Sequence, residues 1–178
     1  MVLILRTILF VHFYHQNYYC YVAGCEGEAD IVFLLDSSDQ IRPDVYEMAK
    51  MYVRSIIGRL DIGMSTTRVA LVSLAGTGRV EFYLGPDYNK QRIMDNIQRT
   101  QHIGTQADVA ASLRFIRETM FDFTNYARDR IPKIVVMFLS DATNISSSDI
   151  VFEADKLKQD LNVSIGQFQQ PMYDTTSS

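Results

Sequence analysis

The sequence predicts a doubly wound α/β domain: a mostly parallel sheet with helices on both faces. Two continuous apolar runs, "DIVFLLD" (30–36) and "KIVVMFLSD" (133–141), have the length and β-branched content of strands buried on both sides. Around them, helical apolar spacing alternates with shorter strand-like segments in the order β-α-β-β-α-α-β-α-β, the pattern of a sheet closed by crossover helices. The 178 residues are 47% hydrophobic and 21% charged, enough for one domain with a real core.

Each element has its own signal. The run 30–36 ends abruptly in Asp36-Ser37-Ser38-Asp39-Gln40. Pro43 and Asp44 then open a helix in which Val45, Met48, Ala49, Tyr52 and Ile56 recur at helical spacing, with Gly58 near its end. "RVALVSLA" (68–75) reads as a second strand. "RVEFYLG" (79–85) reads as a third, paired to it through Gly76-Thr77-Gly78. A short helix covers 89–99. The loop "IGTQAD" (103–108) leads into a further helix with the apolar stripe Val109, Leu113, Ile116 and Met120. After 133–141, Ile150, Ala154, Leu157 and Leu161 mark a last helix, and "NVSIGQF" (162–168) a last strand. The Tyr and Phe residues scatter over these elements and read as core rather than as a binding platform. Met48, Met51 and Met64 read as core or surface filler.

In open α/β sheets, ligands bind beyond the carboxyl ends of the strands, at the point where the strand order reverses. Both strongly apolar strands end in a carboxylate, Asp36 and Asp141. The polar cluster at 36–40 lacks the glycines of a dinucleotide turn. Ser38 stands where a second Asp of an aspartyl-phosphate site belongs. His12, His15 and His102 are the only histidines, with no HExxH for a zinc hydrolase and no GxSxG for a serine triad. No catalytic residue is assigned and the chain reads as a non-enzyme. A hard divalent cation fits better, because Asp36, Ser38, Thr105 and Asp141 are all oxygen donors. The competing reading is that Asp36 and Ser38 cap the neighbouring helix. Asp108 is either a further carboxylate of the site or the stabiliser of a helix N-terminus.

The net charge of −4, with no Lys/Arg-rich run, gives no general attraction to nucleic acid or an anionic membrane. The first 25 residues are apolar and aromatic, carry a single charge at Arg6 and contain no acid. His12, His15, Gln16 and Asn17 interrupt them too often for a membrane span. They read as a secretory signal, residues 1–24, with small residues Ala23 and Gly24 near the cleavage point. Cys20 and Cys25 show no metal-type spacing, and cleavage would leave Cys25 without a partner. Given secretion, Asn144 and Asn162 are glycosylation acceptors in Asn-Ile-Ser and Asn-Val-Ser sequons.

"ADIVFLLDSSDQI", "IGTQAD" and "VVMFLSDAT", in this order and spacing, resemble a von Willebrand factor type A domain, over Ala29 to the C-terminus. The resemblance implies a Rossmann-like fold for residues 25–178. It also implies a metal-ion-dependent adhesion site built from a DxSxS motif, a Thr and a distal Asp. By position these are Asp36, Ser38, Gln40, Thr105 and Asp141, with Mg²⁺ (or Mn²⁺ or Ca²⁺) as the ion and one coordination place left for an acidic group of a partner. Gln40 stands where the motif has its second Ser. Its carbonyl lies two bonds further out, which weakens a geometrically strict Mg²⁺ shell. The chain is most similar to the A domains of collagen VI and matrilins. That implies secretion to the extracellular matrix and a partner such as collagen, or self-association without metal. The cysteine before the first strand usually pairs with one beyond the last helix in that group. The family's closing strand and helix are not evident after residue 168, so the chain reads as a fragment, an early-terminated product or an unusual short form, with a sheet face and edge open to association.

Overall fold

The structure, a computed structural model, describes residues 27–85, 88–140 and 147–170. The N-terminal segment with Cys20 and Cys25, together with Asp141 and Asn144, lies outside them. The elements are β1 (Ala29–Asp36), α1 (Pro43–Arg59), β2 (Thr67–Leu74), β3 (Arg79–Phe82), α2 (Lys90–Arg99), α3 (Val109–Phe115), β4 (Lys133–Ser140), α4 (Ser148–Leu161) and β5 (Val163–Gln170). A π-helical turn, Ile116–Met120, continues α3, and a short 3-10 turn, Phe123–Asn125, follows it. The strand order is β3-β2-β1-β4-β5, with β3 alone antiparallel to its neighbour. The class is the one the sequence predicts. The order reverses between β1 and β4, which is where such sheets place their sites.

Alternation along β1 feeds two cores. Val32 and Leu34 join Val72, Val135, Met137 and the α3 stripe Val109, Leu113, Ile116 and Met120 on one face. Ile31, Phe33 and Leu35 join Tyr46, Val53 and Ile57 of α1 and Ile93 and Ile97 of α2 on the other. Arg114 and Arg117 tie α3 to α4 by pairing with the buried Glu153, at 2.7 and 3.4 Å. The hydrogen bond and attraction from Glu153 raise the Arg114 pKa above its ordinary value. Ile134 and Val136, on the α1 side of β4, stay only half-buried, whereas Val135 and Met137 on the α4 side are closed.

Three expectations need correction. The buried stripe of α1 is Tyr46, Ala49, Lys50, Val53 and Ile57, and Tyr52 is 55% exposed. The apolar reading picked a neighbouring row because the true one contains a lysine. β3 stops at Phe82 rather than Gly85, and Glu81 is an extra residue in its ladder, between the Val72–Val80 and Leu71–Phe82 pairs. Its carboxylate accepts a hydrogen bond from Ser73 Oγ at 2.8 Å. The aromatic residues are not uniformly core: Tyr83, Phe123, Tyr126 and Phe152 are exposed along with Tyr52.

An ion pair between Arg128 and Asp30 closes the amino end of the sheet. Asp30 is fully buried, and Arg128 meets it with its backbone N–H at 2.7 Å and its guanidinium at 2.8–2.9 Å. Arg128 also donates to the carbonyls of Ala29 and Thr66, joining the starts of β1 and β2. Arg128→Ala leaves a buried carboxylate without its cation, and is expected to cost about 3–5 kcal/mol of unfolding free energy. Urea denaturation of the variant checks this, and a loss below 1 kcal/mol would contradict it.

Candidate functional site

Asp36 is the last residue of β1 and its side chain is 1% exposed. One carboxylate oxygen accepts the backbone N–H of Ser38 at 3.0 Å. The other accepts that of Ser140, the end of β4, also at 3.0 Å. Asp141 lies outside the described residues, but its predecessor is thus bonded to the Asp36 carboxylate. Each oxygen keeps a further lone pair.

The 102–105 loop is laid against the same turn. Ser37 Oγ accepts the Ile103 N–H at 2.8 Å, and the Ser37 carbonyl accepts that of Gly104 at 2.9 Å. Gly104 has φ +71°, a conformation that suits glycine. Ser38 and Thr105 form an isolated parallel bridge, and the Asp39 N–H donates to the Thr105 carbonyl at 3.1 Å. Gly76, at the β2–β3 turn with φ +58°, holds the next stretch by bonding Gln106 and Asp108 through its backbone. The fold therefore brings Asp36, Ser38 and Thr105 to one edge.

Gln40 sits beside them but is exposed, and its amide nitrogen donates to Asp39 Oδ1 at 3.2 Å. The Ser38 hydroxyl accepts the Gln40 backbone N–H at 3.3 Å. The helix-capping alternative does not match the structure. The N-cap of α1 is Arg42, without a side-chain cap bond, and Pro43 begins the helix. Asp108, in contrast, is a cap: it accepts the Ala111 N–H at 2.9 Å at the start of α3.

The sequence reading overlooked Ser37 and Ser140 as site-builders and treated His102 only as an absent zinc ligand. His102 Nε2 lies 2.9 Å from the Ser38 carbonyl. Nothing in residue type marks these roles, since Ser140 acts through its backbone and Ser37 through a partner 66 positions away.

An open cleft of about 830 Å³ lies over this edge, between the Ser38–Gln40 turn, the start of α3 and the start of α4. Asp39, Asp108 and Asp149 line it, and none of its described lining residues is Lys or Arg. The described donors suit a hard cation. Asp36, Ser38 and Thr105 offer only oxygen, and Asp36 is a buried carboxylate with no Lys or Arg ion pair among the described residues.

Residues 30–168 match the von Willebrand factor type A domain, and the chain belongs to that family. It is 29% identical to matrilin-1 of Gallus gallus over 140 residues, covering 78% of this chain and 28% of matrilin-1. It is 30% identical to the collagen alpha-5(VI) chain of Mus musculus over 119 residues, 66% of this chain and 4% of the collagen. The chain thus spans a small part of either relative. Among solved structures, proximal thread matrix protein 1 from the mussel byssus, with a zinc-occupied MIDAS motif, superposes with a TM-score of 0.70. The two are 23% identical, with 82% of this chain and 38% of that one covered.

Replacing Asp36 by Asn keeps the shape but turns a donor toward a backbone donor. Asp36→Asn is expected to lower stability by about 1–3 kcal/mol with chelator present. Urea titration in EDTA measures it. An unchanged midpoint would mean that the one N–H bond lost to the amide contributes no more than the buried charge costs.

Proposed function

We propose that this chain is a secreted extracellular-matrix module that binds a protein partner through a divalent cation held by Asp36, Ser38, Thr105 and Asp141, without catalysis. The observation that carries the reading is the buried Asp36 carboxylate, oriented by two N–H groups beside Ser38 and Thr105 and without a Lys or Arg partner among the described residues. When bound, the ion supplies an open coordination place for an acidic group of the partner. Mg²⁺, Mn²⁺ and Ca²⁺ are the ions these donors suit. The partner is collagen or another matrix protein. The carboxylates of Asp39, Asp108 and Asp149 favour a partner segment carrying Lys or Arg beside its acidic residue. Residues 1–24 act as the signal peptide and the domain begins at Cys25. Among the described residues no helix is long and apolar enough to cross a membrane.

Gln40 favours a second reading, a structural matrix protein that self-associates without metal. Its amide is turned to Asp39 and its longer side chain leaves one coordination place to water. The two readings separate on substitution. Gln40→Ser puts a hydroxyl where a compact shell takes one, a gain of about 1–2 kcal/mol on the scale of a hydrogen bond to a charged group. Mg²⁺ and Mn²⁺ should then bind roughly five- to thirtyfold tighter by calorimetry, and Asp36→Ala should abolish binding. If both variants bind like wild type, the metal reading is lost and self-association takes its place.

The sequons also separate. Asn162 is exposed at the end of α4, with φ +52°, at the amino end of β5 and so away from the site edge. Asn144 follows Asp141 by three positions, and a glycan there would shield the site. High glycan occupancy at Asn162 and low occupancy at Asn144 are expected from mass spectrometry of secreted protein beginning near Cys25. A fully occupied Asn144 would count against a working adhesion edge.

A further inference from the structure

The buried face of α1 carries a lysine where an aliphatic residue would fill the same stripe. Lys50 is 2% exposed, and Nζ lies 2.7 Å from Glu47 Oε1, 3.0 Å from the Gln98 carbonyl and 2.9 Å from that of Thr100. All three donors of the ammonium are used. One turn earlier, the fully buried Tyr46 donates its hydroxyl to Thr100 Oγ1 at 3.2 Å, and Thr100 Oγ1 donates to the Ile97 carbonyl at 2.8 Å. The Tyr46 ring meets the His102 ring edge-on, with centroids 5.5 Å apart. His102 reaches the Ser38 carbonyl. A continuous set of contacts therefore runs from α1, through the exit of α2, to the loop that carries Thr105.

We infer that Tyr46 and Lys50 are positioning residues for the cation site: they fix where the chain leaves α2, and through it the placement of Thr105 against Ser38. The inference rests on the cation reading for its functional meaning, but the placement itself does not. An aliphatic side chain would pack as well as the lysine stem, yet it could not hold the Gln98 and Thr100 carbonyls together. Between Thr100 and Thr105 the chain forms no helix, so its path depends on its two anchors, the α1 contacts at one end and the Ser37–Ser38 turn at the other.

Two variants remove the anchor gently. Lys50→Met keeps the stem and deletes the ammonium, and Tyr46→Phe deletes only the hydroxyl. Ile57→Val, in the same helix face away from the loop, is the stability control. Amide hydrogen exchange reads the loop directly at Asp39, Ile103 and Gly104, whose N–H groups bond the loop to the turn. Exchange there should accelerate about tenfold or more in Lys50→Met and Tyr46→Phe but not in Ile57→Val, while the β4 amides follow global stability in all three. Mn²⁺ affinity, measured by calorimetry, should fall about three- to tenfold in the first two and stay within twofold in the control. Loop exchange that merely tracks β4 in every variant would overturn the positioning role. If the wild-type chain takes up no Mn²⁺, the cation reading fails, and the exchange data alone decide the placement.

Discussion

Both oxygens of the Asp36 carboxylate accept backbone N–H groups, one from the turn that follows β1 and one from the end of β4. That arrangement fixes the carboxyl edge of the sheet. The Ser37–Ser38 turn cannot move without losing the first bond, and β4 cannot slip against β1 without losing the second. The turn then serves as the template for the 102–105 loop, which bonds to Ser37 and Ser38 through backbone and hydroxyl groups. Thr105 owes its place to this sequence of contacts rather than to any helix or strand of its own.

β1 carries a buried acid at each end, and the two ends are treated differently. Asp30 is neutralised by Arg128, whose guanidinium also bonds two carbonyls. Asp36 receives only neutral N–H donors among the described residues. A buried carboxylate without a partner charge is costly. The asymmetry lies within one strand: the amino end is closed by the protein's own cation, and the carboxyl end is met by neutral donors, which is what the proposed cation site would require. The acidic residues of the overlying cleft act in the same direction.

The sequence made the central strands and the α3 stripe plain, because Ile31–Leu35 and all of Val135–Leu139 except the half-buried Val136 are buried, and Val109, Leu113, Ile116 and Met120 keep one helical row without a polar intruder. It failed on α1 for the opposite reason. The buried row passes through Lys50, and the wholly apolar row beside it passes through an exposed Tyr52. At the site, Asp36, Ser38 and Thr105 were visible by type and order. Ser37, His102 and Ser140 were not, since they act through backbone groups or through partners far along the chain, and no local pattern encodes such pairings. The bulge at Glu81 was hidden likewise, because a ladder's extra residue depends on the strand beside it.

The central strand pairs only with segments far along the chain. Ala29 is paired with Thr67, and Asp30 with Lys133. Such pairings carry a large loop-closure entropy and slow the folding search. During synthesis β1 leaves the ribosome first, with an apolar edge that stays unpaired until β2 emerges and a second that waits for β4. The bond from Ser140 to Asp36 closes across 104 positions, so the carboxyl edge assembles only after nearly the whole domain has emerged. Formation of this edge is thereby a report that β1 and β4 have paired. A nascent chain stalled before β4 would offer the apolar β1 edge to other chains, making it a client for chaperones.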